Sequence, residues 1–254
     1  MITVVSFSKQ NLLNSVAYSN IECIFIPEND RSHSIISLIN KINGDYVLFL
    51  SKHDTLIDID YLNKYKTIDD IVVFDYIEKN TQGIEKKYYA NTYFSTPLQI
   101  AQNVLIGKYD CNLSNKLFRV SLLKKIAKTH SLSTNRKSIF LKCLLNCKSV
   151  CYQNHAITLS CIHADSESEN DSLEKLKDLQ NILSEIGNFF SPNFKNFIED
   201  YIFLAKINAV KEKKLNKIYF NKVLPVSLAT LQRNAWDLKT KIKLTLVYFF
   251  NKIF

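Results

Sequence analysis

The sequence predicts an α/β domain: a mostly parallel sheet flanked by helices, followed by a helical C-terminal extension. Three observations carry that expectation. Short β-branched runs alternate with helix-compatible stretches through the first third of the chain. Tyr46-Val-Leu-Phe-Leu50 is a continuous apolar run, the kind buried on both faces of a parallel sheet. Ile71 to Phe74 repeats that pattern.

Taken in order, Ile2 to Phe7 reads as a strand and Asn11 to Ala17 as helix-compatible. Ile21 to Ile26 is a second strand, stopped by Pro27-Glu-Asn-Asp30. Ile35, Ile36, Leu38, Ile39 and Ile42 form one helical stripe within Ser34 to Ile42. Asn43-Gly44 ends that helix, with glycine expected at positive φ. Lys79 to Asn112 reads as an irregular hairpin or loop region. Asn115 to Ile126 reads as strand or turn then helix, Ser138 to Leu145 as helix, and Ser149 to Ile162 as one or two strands. The acidic stretch Asp165 to Asp171 predicts a boundary, so that residues 1–165 form one domain and 166–254 an extension. Two helical stripes follow, through Leu173 to Ile186 and Phe197 to Ala205.

Composition narrows the classes. With 46% hydrophobic and 22% charged residues the chain has a globular balance. No apolar run approaches the roughly 20 residues that a membrane-spanning helix needs. The first seven residues lack a basic segment, so no signal peptide is expected. Only four glycines are present, which excludes a Gly-rich phosphate loop. Six cysteines without a secretory leader predict reduced thiols and a cytoplasmic setting. Cys143, Cys147 and Cys151, four apart, suit one helix face as buried small hydrophobes.

The formal charge of +9 belongs to the C-terminal fifth: residues 202–254 carry ten lysines and Arg233 against Glu212 and Asp237. A basic tail on a neutral body suits an anionic membrane surface or nucleic acid. A solvated helix face is the competing account. In the last 20 residues lysines interleave with Trp236, Leu238, Leu246, Phe249 and Phe250, as in interfacial helices. The neutral core lacks an aromatic–basic recognition stripe, which disfavours nucleic acid.

Two segments resemble a known family. Asn43-Gly-Asp-Tyr-Val-Leu-Phe-Leu-Ser-Lys-His-Asp-Thr-Leu56 resembles the GDYILFLDSDD segment of family 2 glycosyltransferases, which have the GT-A fold. Asn115-Lys-Leu-Phe-Arg-Val-Ser-Leu-Leu123 resembles their NKLFRRELL segment, at the right spacing. Ile26-Pro-Glu-Asn-Asp30 stands at the family's nucleotide-contacting turn, and Phe140-Leu-Lys-Cys-Leu-Leu-Asn146 at the family's EDxxFxxxLL segment. The likeness covers residues 1–165.

The resemblance implies a GT-A-like, Rossmann-like domain that moves a sugar from a nucleotide-sugar donor to a glycan or glycolipid acceptor, of capsule or lipopolysaccharide type. In that family Asp-x-Asp carboxylates hold Mn²⁺ or Mg²⁺ against the donor diphosphate. A Glu-Asp carboxylate deprotonates the acceptor hydroxyl. Here the metal-binding positions read Ser51, Lys52, His53 and Asp54, and the Glu-Asp positions read Arg136 and Lys137. The usual proline after the first strand reads Ser6, and an aspartate after the second reads Pro27, with Glu28 in register to meet a base or ribose.

The resemblance thus puts Asp54 and Lys137 at catalytic positions, and Ser6, Glu28, Lys52, Arg136, Asn115 and Lys116 at substrate-contacting ones. Asp54, His53 and His163 form a poorer candidate metal set. Asp165 and Glu167 are candidate replacement bases. Two readings compete: the lysines and arginine replace the metal and hold phosphate directly, or the chain is a non-catalytic scaffold subunit of a glycan-assembly complex. The implied setting is cytoplasmic, with peripheral contact at the inner face of the cell membrane.

Deleting residues 236–254 is expected to abolish sedimentation with anionic liposomes while the remaining chain stays folded. Unchanged sedimentation, or unfolding of the truncated protein, marks the segment as a packed helix instead.

Overall fold

The computed structural model describes residues 1–6, 19–26, 35–89, 96–105, 109–129 and 136–161. The chain divides into two units, Met1–Glu167 and Ser168–Phe254, and the described residues belong to the first. The expected helix at Asn11 to Ala17, the acidic boundary, the later helical stripes and the basic tail lie outside the described residues.

Eight strands make one sheet in the order β2-β1-β3-β7-β5-β8-β4, with β6 paired to β5. The strands are β1 (Ile2–Ser6), β2 (Ile21–Phe25), β3 (Tyr46–Leu50), β4 (Asp54–Leu56), β5 (Ile71–Lys79), β6 (Glu85–Tyr88), β7 (Lys116–Arg119) and β8 (Val150–Cys161). The helices are α1 (Ile35–Lys41), α2 (Ile59–Lys64), α3 (Pro97–Leu105), α4 (Val120–Thr129) and α5 (Arg136–Asn146). β1, β2, β3, β5 and β8 run one way; β4, β6 and β7 oppose them. The expected α/β class with a mostly parallel sheet is therefore present.

The sheet must curl. β3 and β4 stand four strand spacings apart in pairing order, which is about 19 Å across a flat sheet. Only Ser51, Lys52 and His53 connect them, a reach of about 14 Å at most. The Asp54 N–H donates to the Ser51 carbonyl at 3.1 Å, so the link is a tight turn rather than a stretched one.

Each face of the sheet carries its own apolar layer. Val4, Leu48, Leu50, Val72, Phe74 and Leu117 form one core with Leu62 of α2. Tyr61 of α2 and Tyr65, which caps its end, set their ring edges against Phe74, at 6.3 and 5.4 Å between centroids. Asp58 caps α2 by accepting the Tyr61 N–H at 2.8 Å. Its other oxygen lies 2.8 Å from His155 Nε2, and the His155 ring stacks on Tyr61 at 3.8 Å. On the opposite face Phe118 packs between Phe49 and Phe140 of α5, at 6.3 and 6.2 Å.

Several expectations change. The stretch Lys79 to Asn112 contains β6 and the helix α3, whose apolar Ile100, Ala101 and Val104 are buried. The short β4 and α2 had no periodic signal. Cys143, Cys147 and Cys151 do not share a helix face: α5 ends at Asn146, so Cys147 lies past its end and Cys151 lies in β8. None of the six cysteines is in a disulfide. Burial raises the Cys143 thiol, and burial together with the nearby Asp70 raises Cys147 to about 12.

Gly44 is also read differently. Among the described glycines the positive φ belongs to Gly83, at 81°, in the β5–β6 turn. Gly44 is required by close approach instead. A Cβ there would meet Thr3 Oγ1 at 2.6 Å and the Met1 carbonyl oxygen at 3.0 Å, where β1 passes the start of β3. The Gly44→Ala variant is expected to lose about 1–3 kcal/mol in urea denaturation, the cost of forcing the two strands apart. Stability equal to wild type would show that the Thr3 side chain simply rotates away.

Candidate functional site at the carboxyl edge of the sheet

In an open α/β sheet, ligands gather beyond the carboxyl ends of the parallel strands. At that edge β1 ends at Ser6 and β3 at Leu50, while β5 passes through Phe74 and Asp75. α5 begins at the same edge. Its far end meets the amino end of β5, where the Lys148 N–H donates to Asp70 Oδ2 at 2.7 Å. Eleven residues of helix, about 16 Å, carry the chain across the sheet in between. Arg136 and Lys137 therefore occupy the first turn of α5 at the carboxyl edge, with Lys137 half-buried.

The turn after β3 holds three of the expected residues. Lys52 and His53 are exposed, and the Cys161 N–H donates to the His53 carbonyl at 3.0 Å. Asp54 is 2% exposed, and its Oδ2 accepts the Ser51 N–H at 2.9 Å. This carboxylate closes the turn as a local acceptor. Ser6 is fully buried, and its carbonyl accepts the Ile26 N–H at 2.9 Å.

A hard divalent cation gathers six or more oxygens. The described residues contain no group of three His, Cys, Asp or Glu side chains that would hold a metal. Glu28 and His163 lie outside the described residues.

Asn115 and Lys116, expected to touch substrate, turn inward instead. Asn115 is 2% exposed and Lys116 fully buried. The Asn115 side-chain amide donates to the Phe74 carbonyl at 2.8 Å, while its backbone carbonyl accepts the Phe74 N–H at 2.9 Å. Lys116 Nζ donates to Asn115 Oδ1 at 2.7 Å and to the Asn112 carbonyl. It also lies over the Phe140 ring at 4.8 Å. Burial lowers the Lys116 ammonium below the usual lysine range. A short antiparallel strand inserted between β3 and β5 needs its end fastened, and these two residues fasten it.

A second cluster at this edge has no motif or periodicity that announces it. Asp75 is fully buried. Tyr152 of β8 donates its hydroxyl to Asp75 Oδ1 at 2.5 Å, and Lys87 of β6 sets its Nζ 3.4 Å from Oδ2. Tyr152 is half-buried. Burial, then the Asp75 hydrogen bond, raises its phenol above the usual tyrosine range. Tyr109, raised mainly by burial, feels the charges of Asp110, Tyr152 and Asp75. The register between β5 and β8 shifts at Asp75, which faces Ala156 while Phe74 faces Gln153. Such bulges re-aim side chains and recur beside active sites.

A cavity of about 550 Å³ opens elsewhere, at the amino end of β3, lined by Gly44, Tyr46, Ile68, Arg119 and Lys124 among others. Arg119 is held there by Asp70 at 3.2 Å and by the Tyr46 hydroxyl at 3.1 Å. This space is at the opposite edge from Asp54.

The Asn115→Leu variant is expected to lose roughly 2–4 kcal/mol in urea denaturation, because it strands the Lys116 ammonium and the Phe74 carbonyl in the core. The double variant Asn115→Leu, Lys116→Met is expected to recover part of that loss. A double variant that is less stable than the single one would show that the pair is not coupled.

No family model matches the chain, and no curated protein matches it. Solved structures do. The structure of S. aureus TarS residues 1–349 with UDP-GlcNAc matches at 12% identity and a TM-score of 0.56, over 91% of this chain and 80% of that one. The same TarS region without ligand matches at 13% identity and a TM-score of 0.53, over 90% and 76%. Its complex with UDP matches at 12% identity and a TM-score of 0.51, over the same shares. At such identity the likeness shows the fold: the chain has the GT-A-like α/β architecture of these glycosyltransferase structures.

Proposed function

We propose that this chain is a glycosyltransferase that takes a sugar from a nucleotide-sugar donor and passes it to a hydroxyl group of a glycan. The observation that carries the reading is the fold match to a structure bound to UDP-GlcNAc. A carboxyl edge furnished with Lys52, Lys137 and Asp75 supports it. UDP-GlcNAc is therefore the first donor to test.

In this reading Lys52, Arg136 and Lys137 surround the donor diphosphate and neutralise the charge that builds on it as the glycosidic bond breaks. Cations of the protein fill the role that the resembled family gives to a metal. The acceptor is a surface glycan or glycolipid, with the basic segment of residues 202–254 holding the enzyme at an anionic membrane face. A second reading, a non-catalytic scaffold that binds nucleotide-sugar without turnover, is favoured by the burial of Asp54 and the basic residues at the Glu-Asp positions.

Calorimetric titration with UDP-GlcNAc in EDTA tests the proposal. Binding is expected to survive EDTA. Lys137→Ala or Arg136→Ala is expected to weaken it about ten- to a hundredfold, since one charge-assisted hydrogen bond is worth roughly 1.5–3 kcal/mol. Binding abolished by EDTA, or untouched in both variants, overturns the metal-free arrangement. Binding with no transfer or hydrolysis selects the scaffold. Absence of binding to any nucleotide-sugar overturns both readings.

A further inference from the structure

We propose that Tyr152 and Asp75 form a proton relay that serves as the general base of this chain, in place of the carboxylate missing at Arg136 and Lys137. The inference rests on the glycosyltransferase reading and supplies the step that reading lacks. Transfer to a hydroxyl needs a group to remove its proton, and neither a guanidinium nor an ordinary lysine ammonium does so at neutral pH.

Three observations place the pair where that group is needed. The first is height in the sheet. Leu48 pairs with Leu117, and Leu117 with Val72. Continuing that register puts Asp75 level with Ser51, the first residue after β3, at about 10 Å across two strand spacings. The second is the face. Phe74 points to α2, so Asp75 points the other way, toward the layer of α5. There Tyr109 stacks on Phe140 at 6.2 Å, one helical turn from Lys137. The lost acidic positions and the new carboxylate thus share one face and one edge.

The third observation is the chemistry of the pair. Asp75 is fully buried and does not reach an acceptor directly. Tyr152 is half-buried and donates its hydroxyl to Asp75 through a 2.5 Å bond, the length of a charge-assisted O–H···O⁻ contact. A phenol held above its usual range keeps its proton, so Tyr152 is not a standing base. Its oxygen retains lone pairs that accept a proton while its own passes to Asp75. Lys87 and the bulge opposite Ala156 hold the carboxylate in place during that exchange.

The step balances. The acceptor oxygen forms a bond to the anomeric carbon, and the bond from that carbon to the diphosphate oxygen breaks with its electron pair going to the diphosphate. The acceptor proton moves to Tyr152 Oη as the Tyr152 proton moves to Asp75 Oδ1. Water takes the acceptor's place in hydrolysis, which makes UDP release a readout that needs no identified glycan.

The experiment compares the full chain with Tyr152→Phe and Asp75→Asn, measuring UDP release from UDP-GlcNAc, the Kd for UDP-GlcNAc, and the melting temperature. Tyr152→Phe is expected to bind donor within about twofold of wild type and to lose on the order of a hundredfold in kcat, within the usual contribution of general-base catalysis. Asp75→Asn is expected to lose a similar factor, and the double variant little more than either single one. Turnover by Tyr152→Phe within threefold of wild type overturns the relay. So does a loss that follows melting temperature and donor affinity, the signature of a purely structural pair. A wild type that binds UDP-GlcNAc but releases no UDP overturns the relay and leaves nucleotide-sugar binding standing. A wild type that binds none overturns the relay together with the reading beneath it.

Discussion

The short return from β3 to β4 is the constraint on which the rest of this structure depends. Three residues join strands that a flat sheet would hold further apart than those residues reach. The sheet therefore rolls until the far edge comes round to β3. Asp54 is the residue that makes the roll permanent. Its carboxylate takes the Ser51 N–H and its own N–H finds the Ser51 carbonyl, so the turn satisfies itself in a nearly dry setting. An acidic residue at the end of a buried strand is then an architectural part before it is a chemical one.

A second fastening follows from the first. Rolling leaves β7 as a four-residue antiparallel strand wedged between two parallel ones. Such a strand has few ladder bonds of its own. Asn115 adds two bonds to Phe74, and Lys116 donates to the Asn115 side-chain oxygen Oδ1 from beside the Phe140 ring. A buried ammonium is costly unless its donors are met. Here the acceptors are a side-chain amide and a main-chain carbonyl supplied within four residues, so the cost is offset locally. The Asn-Lys pair that marks the family resemblance is on this account a staple that sets the height of Phe74 and, one residue later, Asp75.

That coupling links fold to chemistry. Phe74 fills the α2 layer, and strand alternation sends Asp75 to the α5 layer. The bulge in β8 then brings Tyr152 diagonally onto it. Asp75 and the start of α5 therefore lie on the same face of the sheet.

Local pattern by itself determined the parts whose signal is repeated along the chain. The apolar runs of β3 and β5, the alternation of strand and helix, and the stripe of α1 were all legible, because each element's burial follows from its own periodicity. β4, α2 and α3 were not. β4 has three residues, α2 six, and α3 sits in a polar stretch where only contact with α5 identifies its buried face. The site divides the same way. The resemblance singled out Lys52 and Asp54 after β3 and Arg136 and Lys137 just ahead of a helix read as Ser138 to Leu145, which the fold starts two residues earlier, at Arg136. Only tertiary structure decided that Gly44 is small because Thr3 passes it, that Lys116 lies in the core, and that Asp75 meets Tyr152 across 77 residues of sequence. Contacts of that kind arise from strand pairing and bulge geometry, which no run of neighbouring residues encodes.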